Sequence, residues 1–304
     1  MHHIKYHKGF KYIVGILSIG WLSILTANII STDSLHTSVF DADGNPTEQV
    51  FVLTDADYAK IAQLKSTWSE EDTKSNAKVR AEKAVRAYNN GDFENAVALY
   101  NEALALGGFE EQNSTTIFMN LALAYEALHD STNATRTYRI IQNNSPKSVF
   151  FNVAEAKIAL LGEYINVKKA IIALNNAIKL EPNNFEANNA LALIYMGEYG
   201  NEFKDLKTAL TYNTRMVQIS PENINIRINL AITNIELGKL SDAKTQLDFI
   251  LAKQPSSIPA NYLMMKTLNL LGDATEAKAY ANKLIAWYSD FQNDKLVAEI
   301  IGNK

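Results

Sequence analysis

The residues that could perform nucleophilic, acid–base or metal chemistry are few and widely separated in this chain. There is no cysteine, which excludes thiolate nucleophiles, disulfides and cysteine-ligated zinc. Three of the five histidines precede residue 8, and the others are His36 and His129. We find no Ser-His-Asp arrangement, no phosphate-binding glycine motif and no HExxH metal motif. The sequence therefore predicts a protein that is not an enzyme, with no catalytic residues, no cofactor, no metal and no small-molecule substrate.

Two acidic clusters have simple structural interpretations. The run Asp41-Ala42-Asp43-Gly44 places its glycine at the fourth position, whereas an EF-hand calcium loop has it at the sixth, so we interpret it as a solvated turn. The run Glu70-Glu71-Asp72 is predicted to begin a helix, where acids interact favourably with the helix dipole. Neither cluster predicts a metal site.

Composition indicates a folded protein that does not bind nucleic acid. Hydrophobic residues make up 47% of the 304 residues, enough for an extensive core. The net charge is −4, and no basic stretch occurs outside the extreme N-terminus, whereas phosphate binding needs clustered lysine and arginine.

The N-terminus predicts membrane insertion or export. Residues 1–11 form a basic tail, and residues 12–32 are uncharged and long enough to cross a bilayer as a helix. The lysine bias places the tail in the cytoplasm and the remainder across the membrane, which predicts a single-pass protein with a periplasmic C-terminal domain. The alternative is a signal peptide cleaved after Ala27, although Leu25 would then occupy a position that usually holds a small residue. That alternative predicts an exported soluble protein.

A linker and a leading helix follow this segment. Residues 33–53 are predicted to be a linker, because residues 31–48 are rich in polar and turn-forming residues, and Val50–Leu53 could form a short strand or an extended lead-in. In residues 54–76, Tyr58, Ile61, Leu64 and Trp68 recur at helical spacing. We expect this region to cover the open end of a repeat array, because a terminal repeat has no neighbour to bury its apolar face.

Internal repeats occupy most of the remaining chain. The segment that begins Gly91-Asp92-Phe93 returns in similar form at Gly238 and at Gly272. Prolines at 146, 182, 221 and 255 follow at intervals of 36, 39 and 34 residues. Six alanines recur at corresponding positions, namely Ala96, Ala134, Ala170, Ala209, Ala243 and Ala277.

This pattern resembles the tetratricopeptide repeat (TPR) family, whose unit is two antiparallel helices in 34 residues. The resemblance covers residues 77–288 and implies an all-α, TPR-like α-solenoid of about six helix pairs, with residues 289–304 as a C-terminal capping helix. Alanine at the crossing lets the two helices approach closely, glycine ends the first helix in a left-handed conformation, and proline ends the second. The fourth repeat carries five extra residues within 197–203, which are either a surface insertion or, through Tyr199 and Phe203, a contact point for a partner.

The resemblance also implies where a partner would bind. In TPR proteins, ligands lie along the concave face formed by the first helix of each pair. Carried over to this chain, those positions are Asn120, Leu123, Glu126, Asn189, Leu193, Met196, Asn225, Asn229, Ile232, Tyr262, Lys266 and Asn269. Because few of them are basic, the expected ligand is an apolar or amphipathic segment, although any one of these residues could instead pack between adjacent repeats.

The arrangement of one anchor segment and TPRs resembles bacterial envelope proteins, and this resemblance implies a non-catalytic protein-binding adaptor or scaffold that serves assembly, secretion or maturation. Its partners would be proteins or peptides, and residues 12–32 would contact the membrane. The alternative, which follows from a cleaved leader, is a secreted soluble repeat protein that is structural or self-associating.

Overall fold

The computed structural model describes residues 55–162 and 164–302, which form fourteen α-helices and two short 3₁₀ helices, with no strand in those ranges. The predicted basic tail, the hydrophobic segment at 12–32 and the linker lie outside the described residues. No described helix combines the length and the hydropathy that a membrane crossing requires. The described chain divides into two compact units, one ending at Leu180 and one beginning at Glu181.

The first unit contains seven helices. They are α1 (Asp55–Thr67), α2 (Glu70–Asn89), α3 (Phe93–Leu106), α4 (Glu111–Ala127), α5 (Ser131–Asn144), α6 (Val149–Leu160) and α7 (Val167–Leu180). Helices α2 and α3, α4 and α5, and α6 and α7 pack as three successive pairs. Ile61 of α1 is buried against Ala77 and Leu106, so α1 covers part of the first pair, whose first helix begins at Glu70.

The second unit also contains seven helices. They are α8 (Phe185–Met196), α9 (Leu206–Ile219), α10 (Ile224–Glu236), α11 (Leu240–Lys253), α12 (Ile258–Leu271), α13 (Ala274–Trp287) and α14 (Lys295–Ile301). Three pairs form again, from α8 and α9 to α12 and α13, and the insertion forms a 3₁₀ turn at Asn201–Phe203. A second 3₁₀ turn, Ser289–Asn293, leads into α14, whose Val297 is buried against α12 and α13.

The alanines, glycines and acidic residues from which helices were predicted lie at the expected places in the structure. All six recurring alanines have no exposed surface, because each lies within a close helix packing. Gly238 (φ 72°) and Gly272 (φ 85°) adopt the left-handed conformation after the first helix of their pairs. The acidic run at 70–72 begins α2, where Ser69 and Asp72 form a reciprocal capping box.

A side chain six residues after the proline hydrogen-bonds the turn that precedes each of α8, α10 and α12. Asn188 Nδ2 donates to the carbonyl of Pro182 at 3.0 Å, and Asn261 Nδ2 donates to that of Pro255 at the same distance. At the corresponding position Arg227 Nε donates to the carbonyl of Pro221 at 2.7 Å. These bonds satisfy carbonyls at the turn, where a regular helix offers no partner.

Candidate protein-binding face

Most of the predicted binding residues lie on the first helices of the second unit, α8, α10 and α12. We refer to these residues together as the α8–α10–α12 face. It comprises Asn189, Leu193, Met196, Asn225, Asn229, Ile232, Tyr262, Lys266 and Asn269.

Asn229, at the middle of α10, is the unusual member of this face. Its residue surface is 3% exposed, yet its side-chain Oδ1 has no hydrogen-bond partner. Its polar neighbours are satisfied by other groups: Thr233 donates to the backbone carbonyl of Asn229 at 2.8 Å, and Asn213 Nδ2 donates to Thr233 Oγ1 at 3.0 Å. A buried acceptor without a donor costs about 1–3 kcal/mol.

Apolar side chains next to Asn229 in the sequence pack α10 against α12. Ile228 is buried in a cluster with Leu263 and Met264, and Ile232 is partly buried against the same cluster. Ile228 therefore serves the packing between repeats, whereas Ile232 retains surface that a ligand could cover. Asn225, one turn before Asn229, is also half-buried.

The two ends of the face differ. On α8, Leu193 and Asn189 are half-buried, and the sulfur of Met196 accepts from Asn213 Nδ2 at 3.4 Å. On α12, Lys266 is half-buried and Asn269 is exposed.

The C-terminal segment covers Tyr262. The ring of Tyr262 lies 6.2 Å from that of Phe291, and its hydroxyl donates to Asp294 at 3.3 Å. Burial, with the nearby Asp294 carboxylate, raises the pKa of this hydroxyl. The position that the repeat pattern marks for a ligand is thus filled by the chain's own cap. The sequence alone does not show that Tyr262 is covered, because residues 289–294 are distant from α12 in sequence.

The three predicted binding residues of the first unit lie on α4, close to polar side chains. Asn120 is buried and hydrogen-bonds the hydroxyl of Tyr100, and Leu123 is half-buried beside it. Glu126 Oε1 accepts from the hydroxyl of Tyr138 at 2.5 Å, and its Oε2 accepts from Lys157 Nζ at 3.1 Å.

This pairing changes what α4 can offer a ligand. Glu126 and Lys157 have side chains that are 24% and 22% exposed, so the pair is accessible but mutually neutralised. Sequence reasoning missed Lys157 because it lies on α6, in the next repeat.

Comparisons with known proteins are consistent with this architecture. A sequence profile described as tetratricopeptide repeat matches residues 202–266, which span most of α9 to α12. A search of curated proteins finds no match.

Among solved structures, PilW, described as a widely conserved type IV pilus biogenesis factor, is 24% identical, with a TM-score of 0.50 over 62% of this chain and 86% of PilW. Pseudomonas aeruginosa pilF is 14% identical, with a TM-score of 0.55 over 77% of this chain and all of that chain. At these identities the likeness is one of fold.

Proposed function

We propose that this chain is a non-catalytic adaptor of the tetratricopeptide repeat type that binds a partner protein along the α8–α10–α12 face. Stacked helical repeats create extended surfaces that such proteins use for binding. The observation that supports this site is the buried, unpartnered Oδ1 of Asn229, which lies among half-buried amide and aliphatic side chains.

The chemistry of the face favours a segment that combines apolar side chains with at least one available N–H donor. Leu193 and Ile232 offer partly buried apolar surface, and Asn229 offers the acceptor. Lys266 and the exposed Asn269 add polar contacts at one side. A backbone amide of the ligand would satisfy Asn229 irrespective of ligand sequence, so aliphatic positions would provide the specificity.

Photo-crosslinking in the native membrane, followed by identification of the crosslinked protein, would supply the partner. Capture should then fall with Asn229→Ala, Asn225→Ala and Lys266→Ala, each made in the full chain. The control is Thr245→Ala, because Thr245 is exposed on α11 and bonds only its own helix at Ser241. Unchanged capture by all three variants of the face would rule out this site.

We further propose that this binding serves assembly, secretion or maturation in the bacterial envelope, with residues 12–32 as the membrane anchor. The uncharged segment and its basic flank support the location. The fold that the chain shares with PilW, a pilus biogenesis factor, supports the class of task. Fractionation should recover the intact chain in the membrane. A mature N-terminus near Asn28 would contradict the anchor and favour the exported soluble form.

A further inference from the structure

Helix α7 of the first unit carries an unusual concentration of exposed aliphatic side chains. Ile172 is 64% exposed, Leu180 is 57% exposed, and Ile165, just before the helix, is 52% exposed. Tyr164, in the preceding loop, is 90% exposed. The buried side of α7 is complete without these residues, since it consists of Val167, Ala170, Ala173, Leu174 and Ala177.

Ile172 and Leu180 share one face of α7, opposite its packed side, and Ile165 lies just before the helix. At 100° per residue, Ile172 and Leu180 are about 80° apart. Lys168 and Lys179 are exposed on the same face, as are Lys169 and Asn176. We refer to these seven residues as the outer α7 face.

The repeats provide an internal comparison for this face. Ile172 lies two residues after the buried alanine of its repeat. The residues at that position in the other five repeats are Ala98, Arg136, Thr211, Thr245 and Ala279. Repeat packing therefore does not require a large aliphatic side chain there. Isolated exposed aliphatics are common, but several on one helix face indicate an interaction surface.

Charge identifies the kind of partner. Helices α5 and α7 contain no acidic residue, and Arg136 and Arg139 of α5 are exposed. Glu155 of α6 pairs with Lys169 at 3.3 Å, which leaves Lys168 and Lys179 as the other cations of the outer α7 face. Association with a second copy through this face would bring lysines against lysines, which is unfavourable. The complementary surface is therefore anionic and accepts aliphatic side chains.

We infer that the outer α7 face adsorbs to an anionic lipid surface. Lysine stems can lie along the interface while their ammonium groups meet lipid phosphates, and Ile165, Ile172 and Leu180 enter the boundary between headgroups and acyl chains. Tyr164 has the amphipathic ring that membrane interfaces favour. The inference is independent of the α8–α10–α12 face and of whether residues 12–32 form an anchor.

Because the chain has no cysteine, single labelling sites can be introduced into the full-length protein. Asn176→Cys places an environment-sensitive fluorophore on the outer α7 face, and Thr245→Cys places it at an exposed position of α11. With phosphatidylglycerol–phosphatidylcholine vesicles, the label at 176 should shift to the blue and be quenched by nitroxide-bearing lipid. The label at 245 should not respond, and neither should respond with phosphatidylcholine alone.

The salt dependence of the signal distinguishes adsorption of the outer α7 face from tethering of the chain by another segment. At about 1 M salt the Debye length falls to about 3 Å, so the signal at 176 should disappear even if another segment holds the chain at the vesicle. The double variant Lys168→Gln, Lys179→Gln should need roughly 30-fold more anionic lipid for half-maximal signal, about fivefold for each lysine. Ile172→Thr, which introduces the residue found in two other repeats, should also weaken the signal.

Several results would overturn the inference. These are equal responses at positions 176 and 245, a response that persists in phosphatidylcholine alone, or a salt-independent signal. Crosslinking from position 176 to an acidic protein, with no response to any vesicle, would assign the surface to a protein instead. Partner capture through Asn229 would be unaffected by each of these outcomes.

Discussion

Two buried asparagines of the second unit differ in their side-chain hydrogen bonds, and we expect one to contribute to stability and the other to binding. Asn213 is 1% exposed and donates to Thr233, whereas Asn229 is 3% exposed and its Oδ1 has no partner. The two amides are similarly buried, but the Oδ1 of Asn229 has no partner within the chain. Such buried unpartnered atoms are rare in folded proteins, so this one calls for a specific explanation.

We therefore expect Asn213→Ala and Asn229→Ala to differ. Asn213→Ala removes a buried donor from Thr233 and should reduce the free energy of unfolding by about 1–3 kcal/mol. Asn229→Ala removes an unsatisfied acceptor and should cost less, while it reduces partner capture. Urea denaturation of both variants measures the difference, and a larger loss for Asn229→Ala would contradict this assignment.

Tyr88 predicts a pH dependence of stability. Burial raises the pKa of its hydroxyl from about 10 in the unfolded chain to about 12 in the fold. The unfolded state therefore loses this proton first, and the stability present below pH 10 is lost between about pH 10 and 12, by up to about 1.4 kcal/mol per pH unit. Tyr88→Phe should reduce that slope in denaturation curves measured across this range. Identical slopes for the two proteins would exclude this origin.

At the scale of the helix, equivalent helices of the repeats differ in whether a side chain caps their N-terminus. Asp273 caps α13 by accepting from the backbone of Glu276. Lys239 has nearly the same backbone conformation before α11 (φ −83°, ψ 62°, against −84° and 76° for Asp273) but makes no capping bond with its side chain. The geometry for a cap thus exists at Lys239 without the residue that would use it.

Lys239→Asp should therefore stabilise the protein by about 1 kcal/mol, and Asp273→Ala should destabilise it by about the same amount. For a unit of this size, each change corresponds to a few degrees in melting temperature. Calorimetry on the two variants provides the measurement. A loss of stability in Lys239→Asp would show that the α11 terminus differs from its counterparts.

The helix crossing at Ala243 allows a packing test. Ala243 has no exposed surface in the pair formed by α10 and α11, whereas Ala252 is exposed on the same helix. Ala243→Leu should overpack the crossing and reduce the free energy of unfolding by about 1–3 kcal/mol. Ala252→Leu introduces the same side chain in solvent and should have little effect. Equal effects would mean that helix propensity, not packing, determines the result.

At the scale of the whole molecule, the C-terminal segment packs against the last helix pair of the second unit and also covers Tyr262. Its Val297 has no exposed surface and packs in a cluster with Met265 and Leu284, and Phe291 covers Tyr262. A terminal repeat without such a cover exposes its apolar side to water. The cap is therefore part of the stability of the second unit.

Removing residues 289–304 should lower the melting temperature and increase binding of a hydrophobic dye, because the cluster around Met265 and Leu284 becomes exposed. Removing only residues 303–304 should change neither, because α14 and its C-cap Gly302 remain. A full truncation with unchanged melting temperature would show that this cap is dispensable.

The sequence by itself determined the helix pairs, because their signals are local. The recurring alanines, Gly238 and Gly272, and the prolines act within a few residues of their own positions, so their spacing predicts where helices begin, cross and end. The same spacing also marked Asn229 as a position for a ligand.

Only the tertiary structure decided which of the marked positions remain available. Asp294 lies 32 residues from Tyr262, and Lys157 lies 31 residues from Glu126, yet each pair is in contact in the fold. A repeat pattern assigns the same role to every copy of a position, whereas hydrogen bonds and burial depend on which distant residues arrive beside it. For that reason Tyr262 became part of the cap, Glu126 became part of an ion pair, and Asn229 kept an acceptor with no partner.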